Sequence, residues 1–278
     1  MALSKEIIDK IDALFMLPKS CTMLIYHNDR PEWEGSRMEP LGTGVLLEID
    51  NLYYLITAAH VVQKYAEKKE RDPNREIETY DEPEDAYLSL NNLGLLCDGN
   101  FYPVQRVRYT VGANLDLAIV YIDDESADEL KGKHYFLKED DIMVGIPPLD
   151  EPRYYIYGFP AQFIEEDAVA KTIREIPFKY TTNAIPLEDT PSVRFDKGAN
   201  ILLRYKREKM VTGKDDTPIG EFAPQGISGC GLWFYPGDKR LKLIGIMTED
   251  KTQEERADAM MATRIEYVLD IIRKSSKE

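Results

Sequence analysis

Apolar residues in this chain stand mostly in short runs rich in Val, Ile, Tyr and Phe, bounded by Gly, Pro, Asn and Asp. Runs of this kind are typical of β-strands. The predicted strands are Met23–Tyr26, Gly44–Ile49, Leu52–Thr57, Ala86–Leu90, Phe101–Thr110, Leu115–Tyr121, Tyr154–Tyr157, Lys171–Thr181, Ile201–Arg207, Leu232–Tyr235 and Leu241–Met247. Asp50 and Asn51 predict a hairpin turn between the second and third of these strands.

Helical periodicity is found at the two ends of the chain. Ser4 can cap a helix with apolar residues at positions 7, 8, 11, 14 and 15, which Pro18 is expected to end. The segment Thr263–Glu266 resembles a capping box and predicts a C-terminal helix. Val61–Lys69 predicts a further short helix. Many short strands with a helix at each end favour an all-β fold, either barrels or a sandwich.

The composition predicts a folded, acidic protein. At 278 residues, with 43% hydrophobic residues, the chain is long and apolar enough for a large core, in one unit or two packed halves. The formal net charge of -15 repels phosphate backbones and anionic lipids, so nucleic acid and membrane surfaces are poor partners. The acidic run from 76 to 85 is read as a solvated surface loop.

The cysteines and the N-terminus favour a reducing, cytoplasmic location. The three cysteines, Cys21, Cys97 and Cys230, are odd in number and widely spaced, so they predict no disulfide framework. Charged residues interrupt the first 17 positions, and no apolar run approaches the length of a membrane span. The three histidines lack the spacing of metal ligands, and neither a phosphate loop nor a dinucleotide fingerprint is present. The sequence therefore predicts no metal and no cofactor.

The segment Gln225–Trp233 carries the strongest chemical signal. Gly226 and Gly229 flank Ser228 closely, which suits a tight turn that exposes the hydroxyl and leaves backbone N–H groups available as donors. A nucleophilic serine needs both features. A Gly-Ser-Gly segment is also common in ordinary loops, so this motif is decided by its context.

His60 and Asp116 supply that context. His60 follows an apolar strand, whereas His27 and His134 have no such setting and are read as surface or core residues. Asp116 opens another apolar strand, where a carboxylate needs a hydrogen-bond donor, and a histidine N–H is a good one. The order His, Asp, Ser along the chain is that of the chymotrypsin triad.

Four motifs, in order, resemble the trypsin/chymotrypsin-like serine protease family. They are Gly42-Thr43-Gly44-Val45, Leu55-Ile56-Thr57-Ala58-Ala59-His60-Val61, Asn114-Leu115-Asp116-Leu117-Ala118 and Gly226-Ile227-Ser228-Gly229. The chain is most similar in character to the intracellular bacterial trypsin-like peptidases, which lack disulfides and carry a turn like Gly158-Phe159-Pro160. The resemblance implies two six-stranded antiparallel β-barrels with flanking N- and C-terminal helices. The implied units are an N-terminal helix (1–18), a barrel with His60 and Asp116 (19–150), a barrel with Ser228 (151–263) and a C-terminal helix (264–278). The linker is expected at 146–152.

The same resemblance implies a serine endopeptidase that acts on protein or peptide substrates. Ser228 would be the nucleophile, His60 the general base and acid, and Asp116 the residue that orients the imidazole. The N–H groups of Gly226 and Ser228 would form the oxyanion hole. The implied substrate-binding residues are Phe222, Ala223, Gln225, Met247, Thr248 and Glu249. Phe222 and Ala223 suggest an apolar or small specificity pocket, whereas Glu221, Glu249 and Asp250 suggest a preference for a basic residue, and both alternatives stay open.

Two positions depart from the family pattern. Ile227 stands where the animal enzymes have the Asp that pairs with a new N-terminus, so the zymogen switch is absent. Cys230 stands where a glycine is usual, and a small buried thiol is the interpretation adopted here. Because an unrestrained cytosolic protease would be harmful, the function is expected to be regulated. Two alternatives stay open: an effector held inactive until a partner protein activates it, of the kind found in bacterial defence, and an inactive binding protein on the protease fold.

Overall fold

The computed structural model describes sixteen segments of the chain. They are residues 5–28, 38–62, 86–88, 93–97, 100–103, 106–110, 115–145, 153–159, 164–167, 172–175, 177–186, 196–205, 211–212, 227–237, 240–250 and 259–275. The predicted linker at 146–152 and the acidic run at 76–85 lie outside them, as do residues 63–69 of the predicted helix Val61–Lys69.

The first sheet is antiparallel and, in the described segments, has eight strands. In spatial order they are β4 (Ala86–Leu88), β7 (Arg106–Thr110), β8 (Leu117–Ile122), β3 (Leu52–Ala58), β2 (Met38–Ile49), β1 (Thr22–Asn28), β5 (Leu93–Cys97) and β6 (Asn100–Pro103). The strands β2 and β3 form the predicted hairpin, with φ of 53° at Asp50 and 60° at Asn51. The type I′ turn, whose twist matches that of the paired strands, requires positive φ at both central residues. Asn and Asp tolerate this conformation well.

The second sheet is also antiparallel, with seven strands in the part described. Their order is β13 (Asn200–Arg204), β17 (Ala259–Arg264), β16 (Lys242–Asp250), β15 (Gly231–Phe234), β9 (Tyr154–Gly158), β12 (Phe178–Thr182) and β14 (Val211–Thr212). A separate hairpin pairs β10 (Ile164–Asp167) with β11 (Thr172–Glu175). Residues at alternate positions of β12 are buried, as in a sheet covered on one face, whereas all residues of β9 except Tyr155 are buried.

Prolines divide two segments that the sequence predicts as single strands. The predicted strand Phe101–Thr110 is two strands, β6 and β7, and β6 ends at Pro103. The predicted strand Lys171–Thr181 is likewise β11 and β12, with Pro177 between them. Proline has no N–H to donate to a strand ladder, so both positions terminate pairing.

The helices at the two ends differ in detail from the prediction. The N-terminal segment forms α1 (Lys5–Leu14) and α2 (Met16–Cys21), and Pro18 lies inside α2 rather than ending the helix. Pro18 is the third residue of α2, where a backbone N–H would have no partner within the helix, so proline is tolerated. The C-terminal helix is Ile265–Ser275. The predicted capping box is wrong, because Thr263 belongs to β17 and its hydroxyl bonds to Leu115 O instead.

The helix Asp124–Lys131 was not predicted from the sequence. Asp123 caps it, since Asp123 Oδ1 accepts from Ser126 N at 2.9 Å and Oδ2 from Ser126 Oγ at 2.9 Å. These bonds to the carboxylate also lower the pKa of Asp123. The signal in the sequence is an Asp three residues before a Ser, with acidic residues in the first turn and Lys131 in the last.

A continuous hydrophobic core joins the two sheets. The buried side chains that meet there are Val45, Leu47, Ile56 and Ile119 from the first sheet and Trp233, Leu243 and Ile246 from the second. The C-terminal helix covers this core with Ile265, Val268, Leu269 and Ile272. Burial of this apolar area stabilises the position of one sheet on the other.

The predicted all-β class, with two antiparallel sheets and helices at both ends of the chain, is confirmed. The described sheets have eight and seven strands rather than six each, partly because short edge strands such as β4 and β14 add to them. The domain boundaries at 18, 150 and 263 stay predictions. Among the described helices, none is both long and apolar enough to cross a membrane.

Candidate active site

The pairing of β3 with β8 brings His60 and Asp116 together. Ala58, the last residue of β3, lies opposite Leu117, the first residue of β8. Asp116 directly precedes β8, and His60 stands in the short helical segment 59–62 that continues from β3. The antiparallel register therefore places two residues that are 56 positions apart next to each other, at the same end of two neighbouring strands.

Two hydrogen bonds connect these residues. His60 Nδ1 lies 2.6 Å from Asp116 Oδ2, and the backbone N–H of His60 donates to Asp116 Oδ1 at 3.0 Å. A carboxylate only accepts, so the neutral imidazole carries its proton on Nδ1 and presents Nε2 as an acceptor. The side chains are 34% and 30% exposed, so the pair is open to solvent on one side. The arrangement is suited to taking up a proton at Nε2.

Asp116 has an unusual backbone. Its φ of 42° lies in the left-handed region, which Asp adopts more readily than most residues but still at a cost of about 1–3 kcal/mol. The backbone N–H of Ala59 donates to Asp116 O at 3.0 Å, and Thr263 Oγ1 donates to Leu115 O at 2.7 Å. Bonds on both sides of the strained residue thus maintain the conformation that directs its carboxylate at His60.

Ser228 lies in a tight turn that is attached to β16. Gly229 has φ of 87°, and the N–H of Cys230 donates to Ile227 O at 2.9 Å to close the turn. The N–H of Gly229 donates to Met247 O at 2.7 Å, and the N–H of Met247 donates to Cys230 O at 2.8 Å. The turn that the sequence predicts around Ser228 is therefore formed, with Ser228 half-buried.

Thr43 connects this turn to the first sheet. Its N–H donates to Ser228 O at 3.1 Å, and its carbonyl accepts from Thr57 Oγ1 at 2.7 Å. Its hydroxyl accepts from the N–H of Phe159 at 3.2 Å. Thr57 stands three residues before His60, so the bonds from Ser228 through Thr43 and Thr57 lead back to the strand that carries the histidine.

Thr43 and Thr57 are the site residues that sequence reasoning missed. Both were quoted within motifs, but neither was given a role. The signal in the sequence was a threonine within an apolar strand, and Thr43 in addition stands between Gly42 and Gly44. In the structure both threonines are fully buried. A buried hydroxyl requires partners, so each is expected to bond to backbone nearby.

Two glycines allow the sheets to approach closely at this point. A Cβ on Gly229 would overlap the Thr43 carbonyl oxygen and Thr57 Oγ1, and its positive φ disfavours any other residue. A Cβ on Gly42 would stand 3.1 Å from Ser228 O and closer still to Val61. The glycines beside Ser228 and Thr43 are required by packing between the sheets.

Ile227 and Cys230, the two departures from the family pattern, are both buried in the core of the second sheet. Ile227 thus has an apolar environment in place of an ion pair. Burial raises the pKa of the Cys230 thiol to about 12, despite a hydrogen bond with Thr43 that lowers it. A thiol that stays protonated is a poor nucleophile. Its sulfur also occupies the space that a side chain at Gly158 would need.

The remaining predicted site residues are distributed unevenly. Phe222, Ala223, Gln225 and Gly226 lie outside the described segments, as does Glu221. The side chains of Met247 and Thr248 are buried in β16, and Met247 uses both its N–H and its C=O to bind the Ser228 turn. Glu249 continues the same strand, opposite Met261. His27 is buried in β1, and His134 Nδ1 lies 3.3 Å from Ser20 O, so neither joins the pair at His60. Within the residues that the structure covers, no cluster of His, Cys, Asp or Glu could hold a metal ion.

No protein-family profile matches the chain, and no curated protein matches it. One similar solved structure is the crystal structure of tobacco vein mottling virus protease, with a TM-score of 0.42 and 11% sequence identity. The similarity covers 97% of this chain and 87% of the viral chain.

Proposed function

We propose that this chain is a serine endopeptidase that cleaves protein substrates through Ser228, His60 and Asp116. The observation that carries this proposal is the bond of 2.6 Å between His60 Nδ1 and Asp116 Oδ2, together with a tight turn at Ser228 whose carbonyl accepts from Thr43 N in the same sheet as the pair. The two halves arise from different sheets and are connected by the bond from Thr43 N to Ser228 O. A His–Asp pair with a purely structural role would not require a serine turn that is hydrogen-bonded to its own sheet.

The reaction follows from the protonation of the pair. His60 Nε2 accepts the Ser228 hydroxyl proton as Ser228 Oγ attacks the scissile carbonyl, and Asp116 stabilises the imidazolium through Nδ1. The same proton then passes to the leaving amine, which departs as the acyl-enzyme forms. Water enters, gives its proton to His60 and hydrolyses the ester, and Ser228 recovers its proton.

The oxyanion is assigned to the N–H groups of Gly226 and Ser228. Loss of one such donor typically costs about 3–4 kcal/mol of transition-state stabilisation. The bonds of Gly229 and Met247 support this assignment, because they fix the backbone immediately after Ser228. Ile227 is buried in the core of the second sheet, and we propose that it anchors the turn in place of the ion pair that the animal enzymes use.

Substrate recognition is proposed to include strand addition at the end of β16. In the segments described, β15 pairs with β16 only from Lys242 to Ile246, and the ladder to β17 shifts between Met247 and Glu249. An extended peptide could therefore pair with the backbone near Glu249. The specificity pocket is proposed to include Phe222, Ala223 and Gln225. Both alternatives for the residue at the cleavage site, an apolar one and a basic one, stay open.

The proposal further includes the type of peptidase. We assign the chain to the cytoplasmic, regulated peptidases of the intracellular bacterial trypsin-like type, with a role in bacterial defence. Its support is the Gly-Phe-Pro turn, the few cysteines and the absence of a zymogen switch in the sequence. An activating protein partner is part of this proposal, since the sequence lacks a zymogen switch that would restrain the enzyme.

The test is hydrolysis of a denatured, unrelated protein such as reduced casein by the purified full chain, compared with Ser228→Ala. Cleavage that disappears in the variant, with new termini found by mass spectrometry, is the expected result. Cleavage that persists in Ser228→Ala would overturn the assignment. A wild type that does not cleave casein can still be tested with a fluorophosphonate, which reacts covalently with an activated serine. Reaction at Ser228 would then favour the partner-activated form of the proposal over the inactive binding protein.

A further inference from the structure

A hydroxyl from the second sheet reaches the residue before Asp116. Thr263 is fully buried on β17, and its Oγ1 donates to Leu115 O at 2.7 Å. Leu115 immediately precedes Asp116 and lies two residues before β8 of the first sheet. The bond therefore crosses between the sheets and ends on the peptide that determines where the Asp116 carboxylate points.

The direction of this hydroxyl is set by its neighbours. The N–H of Asp196 donates to Asn200 Oδ1 at 2.9 Å, which turns the Asn200 amide so that Nδ2 faces Thr263. Asn200 Nδ2 lies 3.1 Å from Thr263 Oγ1 and can only donate. The Thr263 oxygen thus accepts from Asn200, and its proton is available to a carbonyl that can only accept. Thr248 Oγ1, at 3.4 Å, completes this buried group of polar residues.

The Leu115–Asp116 peptide requires such support. Asp116 has φ of 42°, a conformation that relaxes unless its surroundings hold it. On the first sheet, Ala59 N and His60 N hold the carbonyl and the carboxylate of Asp116. Thr263 is the contact on the other side of the strained residue, and it comes from a sheet that contributes no other atom to the His60–Asp116 pair among the bonds described.

We propose that Thr263 is a positioning residue, which keeps the Asp116 carboxylate aligned on His60 Nδ1 through the Leu115 carbonyl. Its effect on catalysis rests on the proposed function, whereas its effect on the His60–Asp116 bond does not. Removal of the hydroxyl lets the Leu115 peptide rotate, which lengthens or misdirects the bond of 2.6 Å. The group Asp196, Asn200 and Thr263 therefore makes the alignment of the pair depend on correct packing of the two sheets.

The experiment compares three variants of the full chain. Thr263→Val keeps the shape of the side chain and removes the hydroxyl, and Thr263→Ser restores the hydroxyl. Thr22→Val is the matched control, because Thr22 is also buried and also donates to a carbonyl, Pro18 O, at 2.7 Å. Thermal unfolding by circular dichroism shows whether each variant folds.

Two readouts separate positioning from general stability. The first is the far-downfield proton resonance of His60 Nδ1–H, assigned by its absence in His60→Gln. The second is the reaction with a fluorophosphonate, resolved into the maximal rate of phosphonylation and the concentration that gives half of that rate. We expect Thr263→Val to shift or broaden the resonance and to lower the maximal rate about tenfold, with the half-saturating concentration unchanged. Thr263→Ser and Thr22→Val should both resemble the wild type.

The outcomes are distinguishable from failure of the proposed function. If the wild type does not react with the probe, the resonance alone decides, and its loss in Thr263→Val still supports the positioning role. An unchanged resonance in a folded Thr263→Val protein would overturn the proposal, whatever the reactivity. An equal loss in Thr22→Val would also overturn it, since the effect would then follow from stability in general.

Discussion

The two halves of the candidate site are held by different kinds of interaction. His60 and Asp116 come from neighbouring strands of one sheet, and a direct side-chain bond of 2.6 Å joins them. Ser228 comes from the other sheet, and the described bonds that place it are made by backbone, from Thr43 N to Ser228 O and between Gly229 and Met247. The first half depends on strand register, and the second depends on how closely the sheets approach.

This difference separates two ways in which the site can fail. A change in the pair should remove reactivity while the turn stays formed. A change at Gly229, Thr43 or Thr57 should displace the Ser228 turn while His60 and Asp116 stay bonded. The two effects can be read separately, one by reactivity of the serine and the other by the Nδ1–H resonance of His60.

Asp116→Asn should give the largest effect on reactivity. The Asn amide N–H would donate to His60 Nδ1, leaving the proton on Nε2 and no acceptor for the serine. We expect the fluorophosphonate reaction to slow by about 10⁴-fold, which corresponds to about 5.4 kcal/mol. The measurement is the rate of labelling under saturating probe. A rate within about tenfold of the wild type would mean that Asp116 does not set the tautomer.

Gly229→Ala should break the other half. The added methyl overlaps the Thr43 carbonyl and Thr57 hydroxyl at a positive φ, so the free energy of unfolding should fall by about 3 kcal/mol or more, with labelling lost. Unfolding by denaturant measures the free energy of unfolding, and reaction with the fluorophosphonate probe measures the labelling.

Gly237→Ala is the matched control for that change. Its φ of 89° is nearly the same as that of Gly229, but nothing lies within 4 Å of the added methyl. Only the backbone penalty of about 1 kcal/mol remains, and labelling should persist. If both variants lose equal stability, the close approach of the sheets at Gly229 has no energetic weight.

Thr57→Val tests the connection between the halves. It leaves the buried Thr43 carbonyl without its hydroxyl donor, which should lower the free energy of unfolding by about 2 kcal/mol and slow labelling about tenfold. The His60 resonance should stay in place, in contrast to Thr263→Val. Thr22→Val should cost similar stability without slowing the probe reaction. Loss of the resonance in Thr57→Val would show that the halves are not separable.

The smallest effect concerns Cys230 beside the turn. Burial raises its pKa to about 12, above the ordinary value of 9.0, so the thiol keeps its proton in the folded state while the unfolded chain loses it above about pH 9. This stabilising contribution is complete below pH 9 and is lost as the pH rises toward 12. The stability difference between the wild type and Cys230→Ser should therefore shrink by about 1.4 kcal/mol from pH 8 to pH 10. A difference that stays constant would indicate that the pKa of the thiol in the folded protein is close to its ordinary value of 9.0.

The sequence was most informative where structure is local. Asp50 and Asn51 predict their hairpin because both tolerate positive φ. The apolar runs predict most strands, since burial on a sheet favours such residues. Local signals were misleading where tertiary contacts prevail. Thr263 resembles a helix-capping residue, yet its hydroxyl donates to Leu115 O, next to the other sheet. Pro18 resembles the end of a helix, yet it lies in the first turn of α2.

The site divides in the same way. The motifs around His60, Asp116 and Ser228 single out the residues because each motif is contiguous in the sequence. The roles of Thr43 and Thr263 could not be predicted, because each bonds to a segment more than a hundred residues away, at Ser228 and Leu115. Such contacts depend on how the two sheets dock, and no spacing in the chain encodes that arrangement directly.

Covalent labelling of the full chain by a fluorophosphonate, with the adduct mapped by mass spectrometry, tests the central claim most directly. The account predicts one adduct on Ser228 in the wild type and none in Ser228→Ala or His60→Ala, each shown to be folded. An adduct that persists in Ser228→Ala, or a folded wild type that stays unlabelled, would contradict a formed Ser228–His60–Asp116 site in the isolated chain.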